Sequence, residues 1–219
     1  MVAEPPMEVA SELPMSDPLE TLNDTARRIV ETTRRLLVDR GYSYLSLENI
    51  ANECQLNKTA IRYYFGNKAG LIELVVDSWI HDNNRRLLSL FSIPSEPVLR
   101  DQDSLRAFMR AKLEMIKDTE TYVAFFELIP AVTRNSRNSV RLEKMYEWAT
   151  RVYARLFASS LPGLDEDQIR GFAQLLFAVV DGLGAQRMIS PERFPPDAAL
   201  DLFAQILTTW ACSRAADGA

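Results

Sequence analysis

Histidine, cysteine and glycine are all scarce in this chain of 219 residues, which holds one histidine, two cysteines and eight glycines. A single histidine excludes a multi-histidine metal site, and no group of cysteines or carboxylates has metal-ligand spacing. Cys54 and Cys212 lie far apart and form no disulfide framework, so we expect reduced thiols and a cytoplasmic location. A glycine-rich phosphate loop is also missing. We therefore predict no cofactor, no metal and no enzymatic activity.

Long apolar runs are absent as well. No stretch approaches the ~18 residues that a membrane-spanning helix needs, and residues 1–14 contain neither the basic nor the apolar block of a secretory signal. We therefore expect no membrane partner. The remaining composition, with 47% hydrophobic and 25% charged residues, is typical of a globular protein that can bury a substantial core.

Positive charge is in the minority, because the net charge is −5, and this argues at first sight against a nucleic-acid partner. The distribution of charge along the chain weakens that objection. Residues 1–19 carry a net charge of −4, whereas residues 20–70 carry eight basic and six acidic residues. Residues 20–70 thus form the one positive segment, as attraction to nucleic-acid phosphates requires.

Local signals in that segment predict three helices. The first covers residues 21–40, and Gly41 is placed to end it in a left-handed C-cap. Ser46 and Asn57 are placed to N-cap two shorter helices. Their inward-facing residues share one side of each helix: Leu47, Ile50, Ala51 and Cys54 in one, Ile61 and Phe65 in the other. The short link between them favours a helix-turn-helix.

The rest of the chain is predicted to be helical too. Apolar spacing and proline punctuation indicate further helices: 68–91, 102–118, 120–133, 137–160, 166–189 and 197–213. No β alternation or internal repeat appears, so we predict an all-α fold of about nine helices. Residues 1–19 are expected to be a disordered tail, 20–68 a helix-turn-helix bundle, and 69–219 a larger helical domain.

Within residues 41–68 the chain resembles the tetracycline-repressor-like (TetR) family of transcriptional regulators. The resemblance is carried by Gly41-Tyr42, by Ser46-Leu47-Glu48-Asn49-Ile50-Ala51, by the run from Leu56 to Phe65, and by Asn67-Lys68 before an apolar helix. It implies an N-terminal DNA-binding bundle, followed by a domain that binds a small-molecule effector and forms a homodimer.

Four positions depart from the family pattern. Gln55 stands where a turn glycine is usual, so the turn must avoid a positive φ there or be slightly strained. Thr59 replaces a common glycine, Arg62 a frequent tyrosine, and Gly70 a frequent acidic residue. The changes at Thr59 and Arg62 imply that the DNA sequence read by relatives does not transfer to this chain.

The second short helix supplies the candidate DNA-contacting residues. Arg62 can donate two hydrogen bonds to guanine O6 and N7 in the major groove, whereas Lys58 and Lys68 suit phosphates better. Ser46 and the free amides of its helix terminus could bind a phosphate. The resemblance implies a set of contacts: Lys58, Thr59, Ala60, Arg62, Tyr63, Tyr64 and Lys68. The alternative is an ordinary solvated face, with Tyr63 and Tyr64 packed on the first helix.

The last two helices carry more apolar surface than one neighbour can bury, which favours a two-fold dimer through a four-helix bundle. The residues predicted for that interface are Leu176, Val180, Gly184, Phe203, Leu207 and Trp210. Such a dimer would present two recognition helices to a palindrome. The alternative is that the same surface only closes the core of the monomer.

Large, soft side chains crowd the middle of the chain, where the resemblance implies an effector pocket. The predicted lining is Met109, Tyr122, Phe126, Trp148 and Asp181, and Glu127, Arg134 and Asp181 are candidate polar anchors. A plain core with charges at its rim is the alternative. His81 is expected at the surface or rim. The segment Asp181–Arg187 also looks like the betaine-regulator branch, without indicating a ligand.

The sequence thus predicts a dimeric regulator that acts foremost as a repressor. It is expected to bind a double-stranded DNA operator and to dissociate from it when an effector of unknown identity binds. Two alternatives stay open. One is a small-molecule-binding helical protein whose DNA motif is vestigial, and the other is a DNA binder that uses no effector.

Overall fold

A computed structural model describes residues 16–89, 108, 111, 119–160, 164–190 and 192–217. Over these residues the chain forms eight α-helices and no strand: α1 (Asp24–Arg40), α2 (Leu47–Glu53), α3 (Lys58–Phe65), α4 (Lys68–Ser89), α5 (Thr119–Thr133), α6 (Ser136–Ser160), α7 (Glu166–Ile189) and α8 (Pro196–Asp217). A short 3₁₀ segment, Tyr42–Tyr44, joins α1 to α2. The all-α prediction is confirmed.

Most predicted helix boundaries agree with the observed ones to within about three residues. The predicted helix 102–118 and the predicted tail 1–15 lie outside the described residues, apart from Phe108 and Ala111, which are helical. Residues 16–19 belonged to the predicted tail, but Asp17 instead begins a turn: its carboxylate accepts a hydrogen bond from the Leu19 N–H at 2.9 Å.

Side-chain caps start the helices of the helix-turn-helix. Ser46 Oγ accepts a hydrogen bond from the Asn49 N–H at 3.0 Å, and Asn57 Oδ1 accepts one from the Ala60 N–H at 2.7 Å. Each cap satisfies a backbone donor that the first turn of a helix leaves unpaired. Both predicted caps are confirmed, so these two helix starts are determined locally.

The turn between α2 and α3 is a Schellman motif. The Leu56 N–H donates to the Ala51 carbonyl at 2.8 Å, and the Gln55 N–H donates to the Asn52 carbonyl at 3.1 Å. This pattern places Gln55 in the left-handed position that glycine usually occupies, and its φ is +53°. Of the two outcomes expected for Gln55, the strained one is therefore found.

Gly41 ends α1 as predicted, but not in the left-handed helical conformation. Its φ is +76° and its ψ is 167°, a combination that is essentially restricted to glycine. The Gly41 N–H still donates to the Leu37 carbonyl at 3.1 Å. The chain leaves α1 in an extended direction and enters the 3₁₀ segment directly.

The chain divides into two compact units, one formed by Met1–Arg85 with Val123–Met145 and the other by Arg86–Tyr122 with Tyr146–Ala219. The predicted functional boundary at residue 68 is not what separates these units, and it stays a prediction. In the first unit, apolar residues of α1 to α4 form a core that is almost fully buried: Ile29, Leu37, Leu45, Ile50, Ile61 and Leu71. The rings of Trp79 and Phe125 stack at 5.2 Å within the same unit.

The second unit has a separate core. Phe172, Leu176 and Val180 of α7 are buried, as are Leu200, Ala204 and Leu207 of α8. A capping box starts α7: Asp165 accepts from the Gln168 N–H at 2.8 Å, and the Gln168 side chain accepts from the Asp165 N–H at 3.0 Å. The start of α7 is thus specified locally, like the starts of α2 and α3.

Replacing Gln55 by glycine should stabilise the protein. A non-glycine residue in the left-handed region costs about 1–2 kcal/mol, and the greater unfolded-state freedom of glycine offsets part of the gain. We expect Gln55→Gly to raise the free energy of unfolding by about 0.5–1 kcal/mol in urea titrations. Gln55→Ala keeps the Cβ and should bring no such gain. A less stable glycine variant would contradict the assigned strain.

Candidate DNA interface and effector site

Helix α3 has one buried side chain and an exposed polar side. Ile61 is 0% exposed, whereas Tyr63 is 82% exposed. Lys58, Thr59 and Arg62 are also exposed. A base, a hydroxyl, a guanidinium and an aromatic ring therefore face solvent together on an eight-residue helix that is anchored from below.

The charged groups of this surface differ in their availability. For the Arg62 guanidinium, the described part of the chain provides neither an ion pair nor a hydrogen bond. Lys58 Nζ lies 3.4 Å from Glu48 Oε2 in an exposed ion pair. Such pairs contribute about 1 kcal/mol or less, so a phosphate could replace Glu48 as the partner of Lys58. Arg62 is free to form the fork-shaped hydrogen bonds that guanine accepts.

The other predicted DNA contacts on α3, and the one at the N-cap of α2, are only partly accessible. Ala60, Tyr64 and Ser46 are half-buried. The rings of Tyr63 and Tyr64 meet edge to face at 5.2 Å. The Ser46 hydroxyl already accepts the capping hydrogen bond, although its proton remains available to a phosphate oxygen. Tyr63 is thus the better placed of the two tyrosines for DNA contact.

Two arginines of α1 form ion pairs within the first unit. Arg34 pairs with Asp82 at 2.6 Å, and Arg35 pairs with Glu53 at 2.7 Å. The hydrogen bond to Glu53 and the charge of Glu53 raise the pKa of Arg35. Because Asp82 lies outside residues 20–70, its pair with Arg34 lowers the positive charge that this segment offers to phosphates, whereas the Arg35–Glu53 pair is already counted in the net charge.

Lys68 lies at the start of α4, beside an aromatic ring. Its Nζ is 4.3 Å from the centroid of Tyr42, within the range of a cation–π interaction. Burial lowers the pKa of Lys68 and raises the pKa of Tyr42. The Tyr42 N–H donates to Glu127 Oε2 at 2.7 Å. Glu127, a candidate pocket anchor on the sequence, thus binds a backbone amide of the first unit.

An aromatic cluster surrounds Asp181 in the second unit. The Tyr146 hydroxyl donates to Asp181 Oδ2 at 2.9 Å. The Phe177 ring lies 5.7 Å from Tyr146 and 4.6 Å from Tyr153. A Cβ on Gly184 would overlap the Tyr122 ring, so Gly184 permits the close approach of that ring. We call Tyr122, Tyr146, Tyr153, Phe177 and Asp181 the Asp181 cluster.

Burial and a nearby negative charge act together on the tyrosines of this cluster. Burial raises the pKa of Tyr122 and of Tyr146 well above the ordinary value, and the negative charge of Asp181 raises both further. For Tyr153, burial has the largest effect, followed by the nearby Tyr122 and then by Asp181, and all three raise the pKa. The hydroxyls therefore stay protonated at neutral pH, and that of Tyr146 donates a hydrogen bond to the carboxylate.

The predicted pocket lining is only partly brought together. Tyr122 and Asp181 belong to the Asp181 cluster, and Trp148 is a buried residue of the same unit. Phe126 is half-buried in the first unit, and Met109 lies outside the described residues. The cluster also contains Tyr146, Tyr153 and Phe177, which were absent from the predicted lining because nothing in their spacing distinguishes them from other core aromatics.

The expectation for His81 is wrong. Its side chain is 7% exposed, and its Nδ1 finds no hydrogen-bond partner among the described residues. His81 lies on the inner side of α4, next to the buried Ile80. The apolar stripe of α4 is broad, so the sequence pattern does not show which of its residues face inward. Arg134, the other candidate anchor, is exposed.

Most residues predicted for the dimer interface lie inside the subunit. Leu176, Val180, Gly184 and Leu207 are buried, Phe203 is half-buried, and Trp210 stacks on Phe172 at 6.3 Å. Four of the six thus have no side-chain surface to offer a partner. Other apolar residues of α7 and α8 are exposed: Leu175 (50%), Leu202 (57%) and Ile206 (55%).

None of the described helices is both long and apolar enough to cross a bilayer. No group of three potential metal ligands occurs in the described part of the chain. Cys54 is buried at the end of α2, which agrees with a packing role.

Two family models match the chain. Residues 29–75 match the N-terminal model of bacterial regulatory proteins of the tetR family. Residues 101–210, half of the chain, match the C-terminal model of BetI-type transcriptional repressors. The chain belongs to the TetR family. It is a helix-turn-helix transcriptional regulator, and α2 and α3 are its DNA-binding motif.

Individual relatives of this TetR-family chain are distant. The regulator PksA of Bacillus subtilis is 27% identical over 176 residues, which cover 78% of this chain and 82% of PksA. The regulator BetI of Burkholderia thailandensis is 24% identical, covering 80% of this chain and 87% of BetI. A regulator from Saccharomonospora viridis, solved in complex with choline, shares the fold with a TM-score of 0.67 and 18% identity, covering 83% of this chain and 94% of that one.

Proposed function

We propose that the chain binds a palindromic DNA operator as a homodimer, that Arg62 reads a base in each half-site, and that effector binding releases the DNA. The observation that carries the proposal is the exposed side of α3, where Arg62 is without a partner in the described residues and Ile61 anchors the helix from beneath. Two such helices, about 34–36 Å apart, would enter successive major grooves on one side of a duplex.

Charge at this surface supports a division of labour. Lys58 and Lys68 supply point charges, which suit phosphates, and Arg62 supplies the planar fork that suits guanine. Tyr63 adds an exposed ring and hydroxyl next to Arg62. Operator DNA is a cytoplasmic partner in bacteria, so the same proposal places this chain in the cytoplasm.

The proposed dimer uses the exposed side of α8. Leu202, Ile206 and Trp210 recur every four residues and therefore form one stripe. They line an open groove together with Gln205, Thr209 and Ser213. Apolar side chains in such a stripe gain most when a second subunit removes them from water. The second copy of α8 is the occupant that we propose for this groove.

The proposed effector is an organic cation such as choline, bound at the Asp181 cluster. A carboxylate and the faces of aromatic rings both attract an ammonium group. The Asp181 cluster places several rings beside one carboxylate within a single unit. The choline complex of the Saccharomonospora viridis regulator supports the same class of ligand.

Replacing Arg62 by alanine tests the DNA-reading role. We expect Arg62→Ala to cost about 1–3 kcal/mol of binding free energy on the operator, because a bidentate guanine contact is lost. Fluorescence anisotropy with the promoter DNA flanking the gene, and with single-base variants of it, measures the loss. Preference at one base pair per half-site should relax as well.

The control for Arg62 is Arg151→Ala, which removes an exposed arginine of α6 and should leave binding unchanged. Equal losses on every DNA sequence would show that Arg62 contacts only the backbone. A wild-type chain that binds none of the promoter DNA would instead favour a vestigial motif.

A charge in the α8 groove tests the dimer. We expect Ile206→Glu to convert the dimer to monomers at micromolar concentration, because burying an unpaired carboxylate in an apolar interface is strongly unfavourable. Light scattering after gel filtration measures the mass. Val140→Glu, at an exposed valine of α6, is the matched control. An Ile206→Glu variant that stays fully dimeric would remove this face from the interface.

Ligand-dependent thermal shifts test the effector class. Choline at about 100 times its dissociation constant should stabilise the folded state by about 2.7 kcal/mol. Its neutral isostere, 3,3-dimethylbutan-1-ol, should stabilise it far less, because only the cation gains from Asp181. Asp181→Asn should abolish the choline shift, while Glu147→Gln, at an exposed carboxylate of α6, should retain it. Equal shifts from choline and its isostere would refute a cation site.

A further inference from the structure

Glu127 of α5 provides an acceptor for backbone that lies 85 positions earlier in the chain. Gly41 supplies no side-chain cap for the 3₁₀ segment Tyr42–Tyr44. The Tyr42 N–H at the start of that segment donates instead to Glu127 Oε2 at 2.7 Å. The same oxygen lies 3.0 Å from the position that a Cβ on Gly41 would take. Glu127 is thus a cap supplied from a distant helix, and Gly41 makes room for it.

The Tyr42 residue held by this cap also contacts Lys68. The Lys68 ammonium lies 4.3 Å from the centroid of the Tyr42 ring. An exposed lysine samples many rotamers and loses that freedom when it binds a partner. A lysine whose ammonium is restrained by a ring has already lost part of that rotamer freedom. Lys68 therefore loses less side-chain entropy when it binds a phosphate.

We propose that Glu127 is a positioning residue for DNA binding: by fixing the Tyr42 peptide, it holds the Tyr42 ring where that ring restrains Lys68 for phosphate contact. The inference rests on the proposed DNA-binding function. Glu127 itself touches no DNA in this arrangement, since a carboxylate repels phosphate and the Glu127 oxygen is occupied by the Tyr42 N–H. Its effect passes through Tyr42 to Lys68.

A measurement without DNA tests the geometry directly. In the full chain with ¹³C-labelled lysine, the Tyr42 ring current should shift the Lys68 side-chain protons away from their free values. Glu127→Ala and Tyr42→Ala should return them toward those values, whereas Tyr42→Phe should preserve the shift. Glu120→Ala, at an exposed carboxylate of the same helix, is the matched control. A folded Glu127→Ala variant with an unchanged Lys68 shift would overturn the proposal.

Salt dependence tests the consequence for binding. Each lost phosphate contact lowers the slope of log affinity against log salt by about 0.9. With two half-sites, Lys68→Ala should lower it by about 1.8, so that raising salt from about 50 to about 200 mM costs this variant about tenfold less affinity than the wild type. Glu127→Ala should lower the slope toward the Lys68→Ala value, because an unrestrained Lys68 forms its phosphate contact less completely. The double variant should show the same slope as Lys68→Ala, because Glu127 acts only through Lys68. Glu127→Gln keeps an acceptor for the Tyr42 N–H and should restore most of the wild-type slope.

The two measurements separate this proposal from the DNA-binding function. A wild-type chain that binds no operator overturns the proposed function, and the Lys68 shift then decides by itself whether Glu127 positions Lys68. A wild-type chain that binds, with a Glu127→Ala variant of unchanged slope, overturns the positioning role and leaves the function intact. A Glu127→Ala variant that loses thermal stability but keeps the wild-type salt slope would show that the bond from Tyr42 to Glu127 only stabilises the fold.

Discussion

The burial of Ile61 determines which side of α3 meets solvent. Ile61 is the one buried residue between Lys58 and Phe65, and burying such a side chain stabilises a fold by about 1.5–3 kcal/mol. Since successive residues of a helix differ by about 100° in direction, Arg62 and Tyr63 must then point away from the core. Stability and recognition thus rest on different residues of one short helix. The recognition residues can vary without unfolding it, which explains how Thr59 and Arg62 can depart from the family pattern.

Electrostatic attraction to DNA rests on fewer residues than the charge of the segment suggests. Arg34 and Arg35 are engaged in pairs that join α1 to α4 and to α2. The Arg35–Glu53 pair is exposed, like that of Lys58 with Glu48, and such pairs contribute about 1 kcal/mol or less. Of the six other basic residues of this segment, Lys58, Arg62 and Lys68 lie on or next to α3, and each has a different environment: an exposed ion pair, solvent, and an aromatic ring. The proposed contacts of these three residues with DNA therefore differ with their surroundings.

Features that depend on neighbours in sequence were predictable here, and features that depend on distant residues were not. Ser46 and Asn57 reveal helix starts because a cap bonds to backbone three residues away. Periodicity likewise shows that α7 has an apolar side. It cannot show whether Leu176 is covered by its own subunit or by a partner, since both environments select the same side chain. The bond from Tyr42 to Glu127 joins residues whose proximity only the tertiary fold creates.

Helix α5 carries residues of both compact units. Tyr122, in its first turn, packs against Gly184 in the second unit, and Glu127 holds the Tyr42 peptide in the first. Pro130 deprives the Phe126 carbonyl of its helical donor, but it lies after both contacts. Since the boundary between the units lies between Tyr122 and Val123, each of these contacts belongs to one unit only, and one continuous helix contributes residues to both cores.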